Sequence, residues 1–441
     1  MFPFYNFLNN CIYGNLVGTE SCKVSPKSIS MSQKILFPIL TIVGASLFIS
    51  YLYPFVHKGS TEDQRSLAIL PDTASNKAPD KPDPAQSRIQ IVFALDATGS
   101  MSGLIGAAKE KIWSIAGSLA QADPAPVIEI GLLFYRDKGD VFVTRKVALS
   151  SDIDDVYGKL MQIAAAGGGD EPESVNQALY EAVTKFNWDT SYNTYKTVFL
   201  VGDRPPHMDY QDDIKYPVSC GLAKQKDIVL NTILMGNDSK AMRIWKEIAL
   251  CNQGNYAQVG MDANDIAVNT PYDAVIADLS DKLDDTRIYY GDADEKAASN
   301  RKVANSKVIV GAVKANVKAQ RAEYNSTKAG KAGYYGQQEL LESYREKSVS
   351  LETIKEEELP DVMKNMTAAQ RKVFVEQKIA ERDSLNRELI KFTKQRQEFI
   401  EKDLKNRNSA EVDSSFTNRI YKSIQKQTEK KNIHLKADAK Y

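Results

Sequence analysis

The feature that most constrains the fold is a series of short, largely apolar runs separated by amphipathic segments between residues 88 and 290. Apolar runs of this kind are typical of strands covered by helices on both faces. Their alternation with helical segments predicts an open, doubly wound α/β sheet of mostly parallel strands. Strands are expected at 89–95, 127–135, 141–149, 196–202, 228–235 and 255–259, and helices at 104–121, 153–165, 174–186, 240–252 and 272–284. The run at 141–149 follows a turn and is expected to be an antiparallel edge strand.

The first apolar run ends at a group of oxygen-bearing side chains. Asp96 follows the run directly, and Thr98 and Ser100 come two and four residues later. Carboxylates and hydroxyls are the hard ligands that a cation such as Mg²⁺ prefers. Taken alone, the same pattern also describes a turn that caps the next helix.

Two further segments place acidic groups at expected strand or helix ends. Asp170 follows three glycines and precedes a helix, and Asp203 ends the run at 196–202. Ligands of doubly wound sheets bind at the carboxyl ends of the strands, near the point where the strand order reverses. The sequence therefore predicts a metal site formed by Asp96, Thr98, Ser100, Asp170 and Asp203.

These motifs together resemble the von Willebrand factor A domain, whose metal-ion-dependent adhesion site has the core D-x-S/T-x-S. The resemblance covers 88–290. It implies that Asp96, Thr98 and Ser100 bind the ion and that Asp203 acts through water. The family usually has a threonine where this chain has Asp170, in a GGGDEPE segment similar to that of a subset of mostly bacterial members. The resemblance implies Mg²⁺, or Mn²⁺ or Ca²⁺, and a protein ligand that offers an acidic side chain.

Several neighbouring side chains leave alternatives open. Glu171 and Glu173 are either further ligands or acidic residues that serve the first turn of the next helix. The segment at 136–140 is either an acidic ligand loop or a hairpin turn, and the turn is favoured. His207 and Tyr210 lie beside the expected ion, in a loop stiffened by two prolines, and are candidates for a partner-binding surface.

The four cysteines contain no C-x-x-C pair, so a zinc ribbon is not indicated. Cys220 and Cys251 flank the expected fifth strand and its helices. They are expected to form a disulfide if this part of the chain is exported. The alternative is a pair of buried free thiols.

Residues 35–56 carry no charged side chain. A helix of this length rises about 1.5 Å per residue and spans a bilayer core of roughly 30 Å. Lysines precede the segment, which predicts an uncleaved signal anchor in the cytoplasmic membrane, with the N-terminus inside and the following domain in the periplasm or outside the cell. The alternative is secretion after signal cleavage. Residues 1–34 are then a cytoplasmic tail, of which 1–30 are either genuine or not translated, because Met31 is a natural start.

The anchor is followed at 57–87 by a segment rich in Pro, Asp, Ser and Lys, which is expected to be a linker. From 291 to 441 the strand signals disappear and charged residues dominate. Residues 368–407 are expected to form a long helix with a heptad-like apolar stripe. The stripe comprises Leu385, Leu389, Phe392 and Phe399.

Arg396 interrupts this stripe, and two interpretations remain. The helix either packs on its neighbour as a solvated helix or forms a coiled coil through which the protein associates with itself. Residues 410–441 are expected to fray.

Composition limits the functional classes. The chain has 57 basic and 57 acidic residues, so it lacks the basic excess of a nucleic-acid-binding protein. No G-K-[ST] phosphate loop, nucleophile elbow or H-E-x-x-H motif occurs. The expected function is that of a membrane-anchored protein-binding or adhesion module and not an enzyme. The alternatives are a metal-dependent hydrolase or phosphotransferase, or a structural envelope protein without a functional ion.

Overall fold

The computed structural model describes residues 86–169, 171–261, 265–311, 313–436 and 438–441. The predicted cytoplasmic tail and anchor, nearly all of the predicted linker, and Asp170 lie outside the described residues. Within the described ranges no helix is both long and apolar enough to cross a membrane.

The fold is built around one mixed sheet. Its strands are β1 (Arg88–Asp96), β2 (Val127–Tyr135), β3 (Thr144–Ser150), β4 (Thr194–Gly202), β5 (Val229–Met235) and β6 (Tyr256–Val259). They lie in the order β3-β2-β1-β4-β5-β6. All neighbouring pairs are parallel except β2 and β3, which are antiparallel. The predicted α/β sheet with one antiparallel strand is therefore confirmed.

Helices connect the strands and continue beyond them. They are α1 (Ser102–Leu119), α2 (Ile153–Met161), α3 (Val175–Thr184), α4 (Tyr216–Gln225), α5 (Ser239–Cys251), α6 (Asp273–Asp285), α7 (Ala293–Gly311), α8 (Ala315–Ser326), α9 (Lys328–Tyr335), α10 (Leu340–Arg345), α11 (Ala368–Asn406), α12 (Ser409–Ser414) and α13 (Phe416–Thr428). A short 3-10 turn at Gly99–Met101 precedes α1.

The sheet carries one apolar cluster on each face. Residues of β1 alternate between them, because successive side chains of a strand point to opposite faces. Ile91 and Phe93 join the cluster that contains Trp113 of α1, and Val92 joins the cluster that contains Trp245 of α5. Burial on both faces explains why these strands are apolar throughout.

The end of the chain is part of the first cluster, so the expectation that residues 410–441 fray is wrong. Phe416, Ile420 and Ile424 of α13 are buried in the same core as α1 and β1. After α13, His434 pairs with Asp123 in an isolated β-bridge. The i, i+4, i+8 spacing of the three apolar residues is a helix-face signal that the surrounding charged residues obscured.

Helix α11 also differs from its prediction. It begins at a capping box formed by Thr367 and Gln370. Arg396 does not interrupt a buried face but lies on it, and its Nε donates to Oδ1 of Asp273 at 2.9 Å. Phe399, predicted as part of the stripe, is 40% exposed. The buried residues of α11 are Val375, Arg382, Leu389, Arg396 and Ile400.

A second buried arginine joins the helices after the sheet to the sheet domain. Arg321 of α8 donates from Nε to Oδ1 of Asp154 in α2 at 2.6 Å, and from Nη1 to Oδ2 of Asp284 in α6 at 2.9 Å. Burial by itself would raise the pKa of Asp154, but the charge and hydrogen bonds of Arg321 outweigh it and lower that pKa. One guanidinium therefore holds Asp154 ionised in the interior and also binds Asp284.

We expect Arg321→Ala to lower the free energy of unfolding by about 3–5 kcal/mol, because it leaves Asp154 and Asp284 buried with less compensation. Urea unfolding of the full-length chain measures this. The matched control is Arg243→Ala, which removes an exposed i,i+4 pair with Glu247 and should cost less than about 1 kcal/mol. Equal losses in the two variants would contradict a structural role for Arg321.

Candidate functional site

The loop after β1 brings the first three predicted site residues together. Asp96 ends the central strand and is fully buried. Its Oδ1 accepts the backbone N–H of Thr98 at 2.9 Å and the hydroxyl of Thr98 at 2.7 Å. The hydroxyl oxygens of Thr98 and Ser100 are 3.3 Å apart. A carboxylate and two hydroxyls therefore converge at the carboxyl end of β1.

Asp203 lies beside this group, directly after β4. Because β4 is the parallel neighbour of β1, both strands present their carboxyl ends at the same edge. Gly202 permits the close approach, since a side-chain carbon there would lie 3.1 Å from Oδ2 of Asp96. The strand order reverses between β1 and β4, and the carboxyl ends of the strands at such a point form the usual binding crevice of these sheets.

The glycine-rich loop packs directly on the site. Gly167 and Gly168 have φ values of +81° and +82°, which favour glycine. The N–H of Gly99 donates to the carbonyl of Gly167 at 3.1 Å. A side-chain carbon at Gly168 would lie 3.2 Å from Cβ of Thr98 and 3.5 Å from Oε1 of Glu173. The predicted ligand Asp170, two residues further on, lies outside the described residues.

Glu173 is the residue that sequence reasoning undervalued. It does not lie in the first turn of α3, which begins at Val175, and it is only 3% exposed. Its backbone is held by two hydrogen bonds to the loop after Asp203, from its own N–H to Pro205 and from the N–H of His207 to its carbonyl. Glu171, in contrast, faces outward and pairs with Arg204 at 2.5 Å. A pattern of residue types could not distinguish the two glutamates.

Among the residues that the structure describes, three carboxylate oxygens of the predicted site loops are buried without a hydrogen-bond partner. They are Oδ2 of Asp96, Oε2 of Glu173 and Oδ1 of Asp203. Burial raises the pKa of Asp96 to about 7 and that of Glu173 to about 9, and nearby carboxylates reinforce both shifts. Burial also raises the pKa of Asp203. Unpaired buried carboxylates are costly unless protonated or neutralised by a cation, so the donor set fits a hard divalent ion.

The oxygen donors at this edge include the hydroxyls of Thr98 and Ser100 as well as carboxylates. Among the described residues no group of three or more His, Cys, Asp or Glu side chains is placed as a metal-binding cluster.

The loop at 136–140 holds the neighbouring site loops through hydrogen bonds of its acidic side chains. Asp137 is buried and accepts hydrogen bonds from the hydroxyls of Ser174 at 2.8 Å and Tyr210 at 2.7 Å. Asp140 Oδ2 accepts the N–H of Gly168 at 3.1 Å. The segment is thus a turn between β2 and β3, as favoured, and its acidic side chains position the neighbouring loops.

His207 is buried, which corrects the expectation that its ring faces a partner. It stacks on Tyr210 with ring centres 3.9 Å apart. Its Nδ1 lies 2.9 Å from Oδ1 of Asp209. Met208 and Asp209, which lie between the two rings in the sequence, are exposed. His207 and Tyr210 therefore stiffen the loop that presents other side chains.

The cysteines predicted to pair do so in the structure. Cys220 of α4 and Cys251 at the end of α5 form a disulfide. It links two helices on the face of the sheet that holds Trp245.

Comparison with known proteins gives a family match over the part of the chain that forms the sheet. Residues 90–269 match the family model of the von Willebrand factor A domain. The chain is also 29% identical over 123 residues to a putative ariadne-like RING finger protein R811 of Acanthamoeba polyphaga mimivirus. That match covers 28% of this chain and 12% of the relative, so the chain spans only a small part of the relative's length.

Solved structures give weaker likenesses. BatB from Bacteroides thetaiotaomicron is 14% identical, with 39% of this chain and 90% of that chain covered and a TM-score of 0.30. The SpRpn10 VWA domain is 12% identical, with coverages of 40% and 88% and a TM-score of 0.30. A mussel byssus matrix protein, PTMP1, with a zinc-occupied MIDAS motif is 15% identical, with coverages of 40% and 43% and a TM-score of 0.31.

Likenesses at these scores carry no argument about this chain. The family match stands without them and coincides with the sheet that carries the site. Residues 90–269 of this chain are similar to the von Willebrand factor A domain.

Proposed function

We propose that this chain binds a divalent cation at the carboxyl ends of β1 and β4 and uses the site to bind a protein partner. The observation that supports the proposal is the set of buried, unpaired oxygens of Asp96, Glu173 and Asp203 beside the hydroxyls of Thr98 and Ser100. A cation bound by these oxygens would compensate buried carboxylate charge at this edge. Mg²⁺ suits this donor set, with Mn²⁺ and Ca²⁺ as alternatives.

The ligands follow from the positions of these groups. Asp96, Thr98 and Ser100 supply the oxygens of the first loop, and Asp203 supplies a carboxylate from the neighbouring strand. Glu173 adds a carboxylate from the loop before α3. Asp170 remains a proposed ligand on sequence grounds alone.

A binding function is favoured over an enzymatic one because von Willebrand factor A domains are typically interaction modules without catalytic activity. Among the described residues of the site, the hydroxyl of Thr98 donates to the carboxylate of Asp96 at 2.7 Å, and the family match favours binding over catalysis as the role of this pair. The phosphatase assay described below tests the enzyme alternative.

The location of the protein is also a proposal. We infer that residues 35–56 anchor the chain in the cytoplasmic membrane and that the domain lies on the far side, as the apolar length and preceding lysines indicate. The expected outcome is that the full-length protein stays in the membrane pellet after alkaline extraction and that protease added to spheroplasts digests the domain. Release into the supernatant would favour signal cleavage, and protection from protease would contradict the orientation.

Cation binding is tested by calorimetric titration of the full-length chain with Mn²⁺ in a non-ionic detergent. We expect saturable binding by the wild type and a loss of about 100-fold or more in affinity for Asp96→Asn, which removes a ligand charge. Asp209→Asn is the matched control, because Asp209 is exposed and should leave the affinity unchanged.

Absence of saturable binding by the wild type would contradict the proposed site. A phosphatase assay on the same samples, with Mg²⁺ present, addresses the alternative. Turnover that disappears in Asp96→Asn would favour the enzyme over the binding module.

The raised pKa values predict how pH affects the metal-free protein. The pKa of Asp96 is about 7 and that of Glu173 about 9 in the folded state, against ordinary values of 3.8 and 4.5. Folding therefore favours their protonated forms, and this contribution to stability is lost as pH rises from about 4 towards 9. We expect the Tm of the metal-free chain to fall between pH 5 and pH 9 and the increase caused by Mg²⁺ to grow with pH.

The control for this measurement is Asp96→Asn. Its metal-free Tm should fall less steeply, and Mg²⁺ should raise it little, because the ionising group has been removed. A wild-type Tm that does not fall faster than that of the variant would contradict the burial of an unpaired carboxylate at this site.

A further inference from the structure

Asp137 lies in the turn between β2 and β3, outside the set of proposed ligands, and is only 3% exposed. One of its carboxylate oxygens, Oδ1, accepts the hydroxyl of Ser174 at 2.8 Å. The other, Oδ2, accepts the hydroxyl of Tyr210 at 2.7 Å. Ser174 directly precedes α3, and Tyr210 belongs to the loop after β4. A single buried side chain therefore connects two loops that carry proposed ligands.

These two connections close a ring of contacts around Glu173. Ser174 is the next residue in the chain, so its hydroxyl fixes Glu173 on one side. On the other side, the N–H of His207 donates to the carbonyl of Glu173 at 3.1 Å, and the imidazole stacks on Tyr210. Nε2 of the same imidazole lies 3.4 Å from Oδ2 of Asp137. The backbone of Glu173 is therefore held by two arms that meet at Asp137.

The ring has little freedom to change shape. Ser174 and His207 are buried, so water does not compete freely for their hydrogen bonds. Two further backbone bonds join the same segments. The N–H of Glu173 donates to the carbonyl of Pro205 at 3.1 Å, and the N–H of Ser174 donates to the carbonyl of Arg136 at 3.3 Å. The position from which the Glu173 side chain leaves the backbone is therefore fixed.

The same turn also holds the first loop and the glycine-rich loop. Arg136 is buried and donates from Nε to the carbonyl of Ala97 at 3.0 Å. Its Nη2 donates to the carbonyl of Ala164 at 2.8 Å. The loops that carry the described candidate ligands are therefore all attached to the turn that contains Asp137.

The rigidity of the donors matters because Mg²⁺ and Ca²⁺ have different requirements. Mg²⁺ needs a nearly ideal octahedron with oxygens at about 2.0–2.1 Å, whereas Ca²⁺ accepts about six to eight oxygens at about 2.3–2.6 Å in a flexible arrangement. A site whose carboxylate is held in place is expected to disfavour the larger ion. Loosening that carboxylate is expected to remove the discrimination.

We propose that Asp137 is a positioning residue that makes the cation site select Mg²⁺ over Ca²⁺, because it holds Glu173 in a fixed position. The proposal rests on the proposed function and deepens it, since it assigns the choice of ion to a residue that is not itself a proposed ligand. It depends on hydrogen-bond geometry alone.

Calorimetric titration of the full-length chain in a non-ionic detergent, with Mg²⁺ and separately with Ca²⁺, tests the selectivity. We expect Asp137→Ala to weaken Mg²⁺ binding by about 10- to 100-fold, the usual effect of removing a group that orients a metal ligand. Ca²⁺ binding should weaken much less, because a flexible site still suits it, so the ratio of the two affinities should fall roughly tenfold. A merely structural role would weaken both ions alike and leave the ratio unchanged.

Two further variants bracket this result. Asp137→Asn should restore most of the ratio, because its amide oxygen accepts one hydroxyl and its N–H donates to the other. The matched control is Asp189→Ala, at the amino ends of β1 and β4, which removes the hydrogen-bond acceptor of Ser191 and Thr194. It should lower the Tm and leave the ratio unchanged.

Hydrogen exchange of the metal-free chain measures the positioning without any ion. The amides of Glu173 and His207 should exchange faster in Asp137→Ala than in the wild type, and at the wild-type rate in Asp189→Ala. If Asp137→Ala does not fold, Tyr210→Phe removes one of the two arms and should change the exchange rates and the ratio in the same direction.

The outcomes separate this proposal from the proposed function. Equal weakening of both ions by Asp137→Ala, or unchanged exchange at Glu173, would overturn the proposal and leave the cation function standing. An equal fall of the ratio in Asp189→Ala would also overturn it, because it would show a general loss of stability. A wild-type chain that binds neither Mg²⁺ nor Ca²⁺ would contradict the proposed function, and the selectivity with it.

Discussion

The buried guanidinium of Arg321 is the contact on which the arrangement of this molecule depends. It bridges Asp154 of α2 and Asp284 of α6, so a helix after the sheet domain holds two helices of the domain together. Tyr334 of α9 donates its hydroxyl to Oδ1 of Asp284 and closes the same network. Removal of one member of such a network leaves an uncompensated charge in the interior. The contacts of the network therefore depend on one another. The helices after the sheet are therefore structural parts of the folded unit.

This network is connected to the candidate site through α2. The segment after that helix runs at 162–169 and carries the glycines that pack on Thr98. Its backbone is fastened to the first loop by hydrogen bonds from Ala166 to Ala97 and from Gly99 to Gly167. Lys109 of α1 also donates to the carbonyl of Ile163 at 2.7 Å. The site is thus formed by loops whose backbones are held from both sides, which is the preorganisation that cation binding needs.

The carboxylates at the centre of the site are the groups whose burial calls for compensation. Each of Asp96, Glu173 and Asp203 has a buried oxygen without a partner among the described residues. Such groups favour either a bound proton or a bound cation.

The amino-acid sequence by itself determined the sheet and the first part of the site. Apolar runs mark buried strands, and a carboxylate with two hydroxyls after β1 indicates a candidate cation site, because both depend on residues close together in the chain. Only the tertiary structure decided the rest. Glu173 became a site residue because the loop after Asp203 turns its backbone inward, whereas Glu171 two residues earlier faces Arg204. The burial of Arg396 and Arg321 is compensated by ion pairs with Asp273 and Asp154, which lie far away in the sequence. Residues 416–424 belong to the core because the apolar face of α13 packs against the sheet and α1. Such outcomes depend on contacts between distant segments, and local composition carries no information about which distant charge or apolar face will be present.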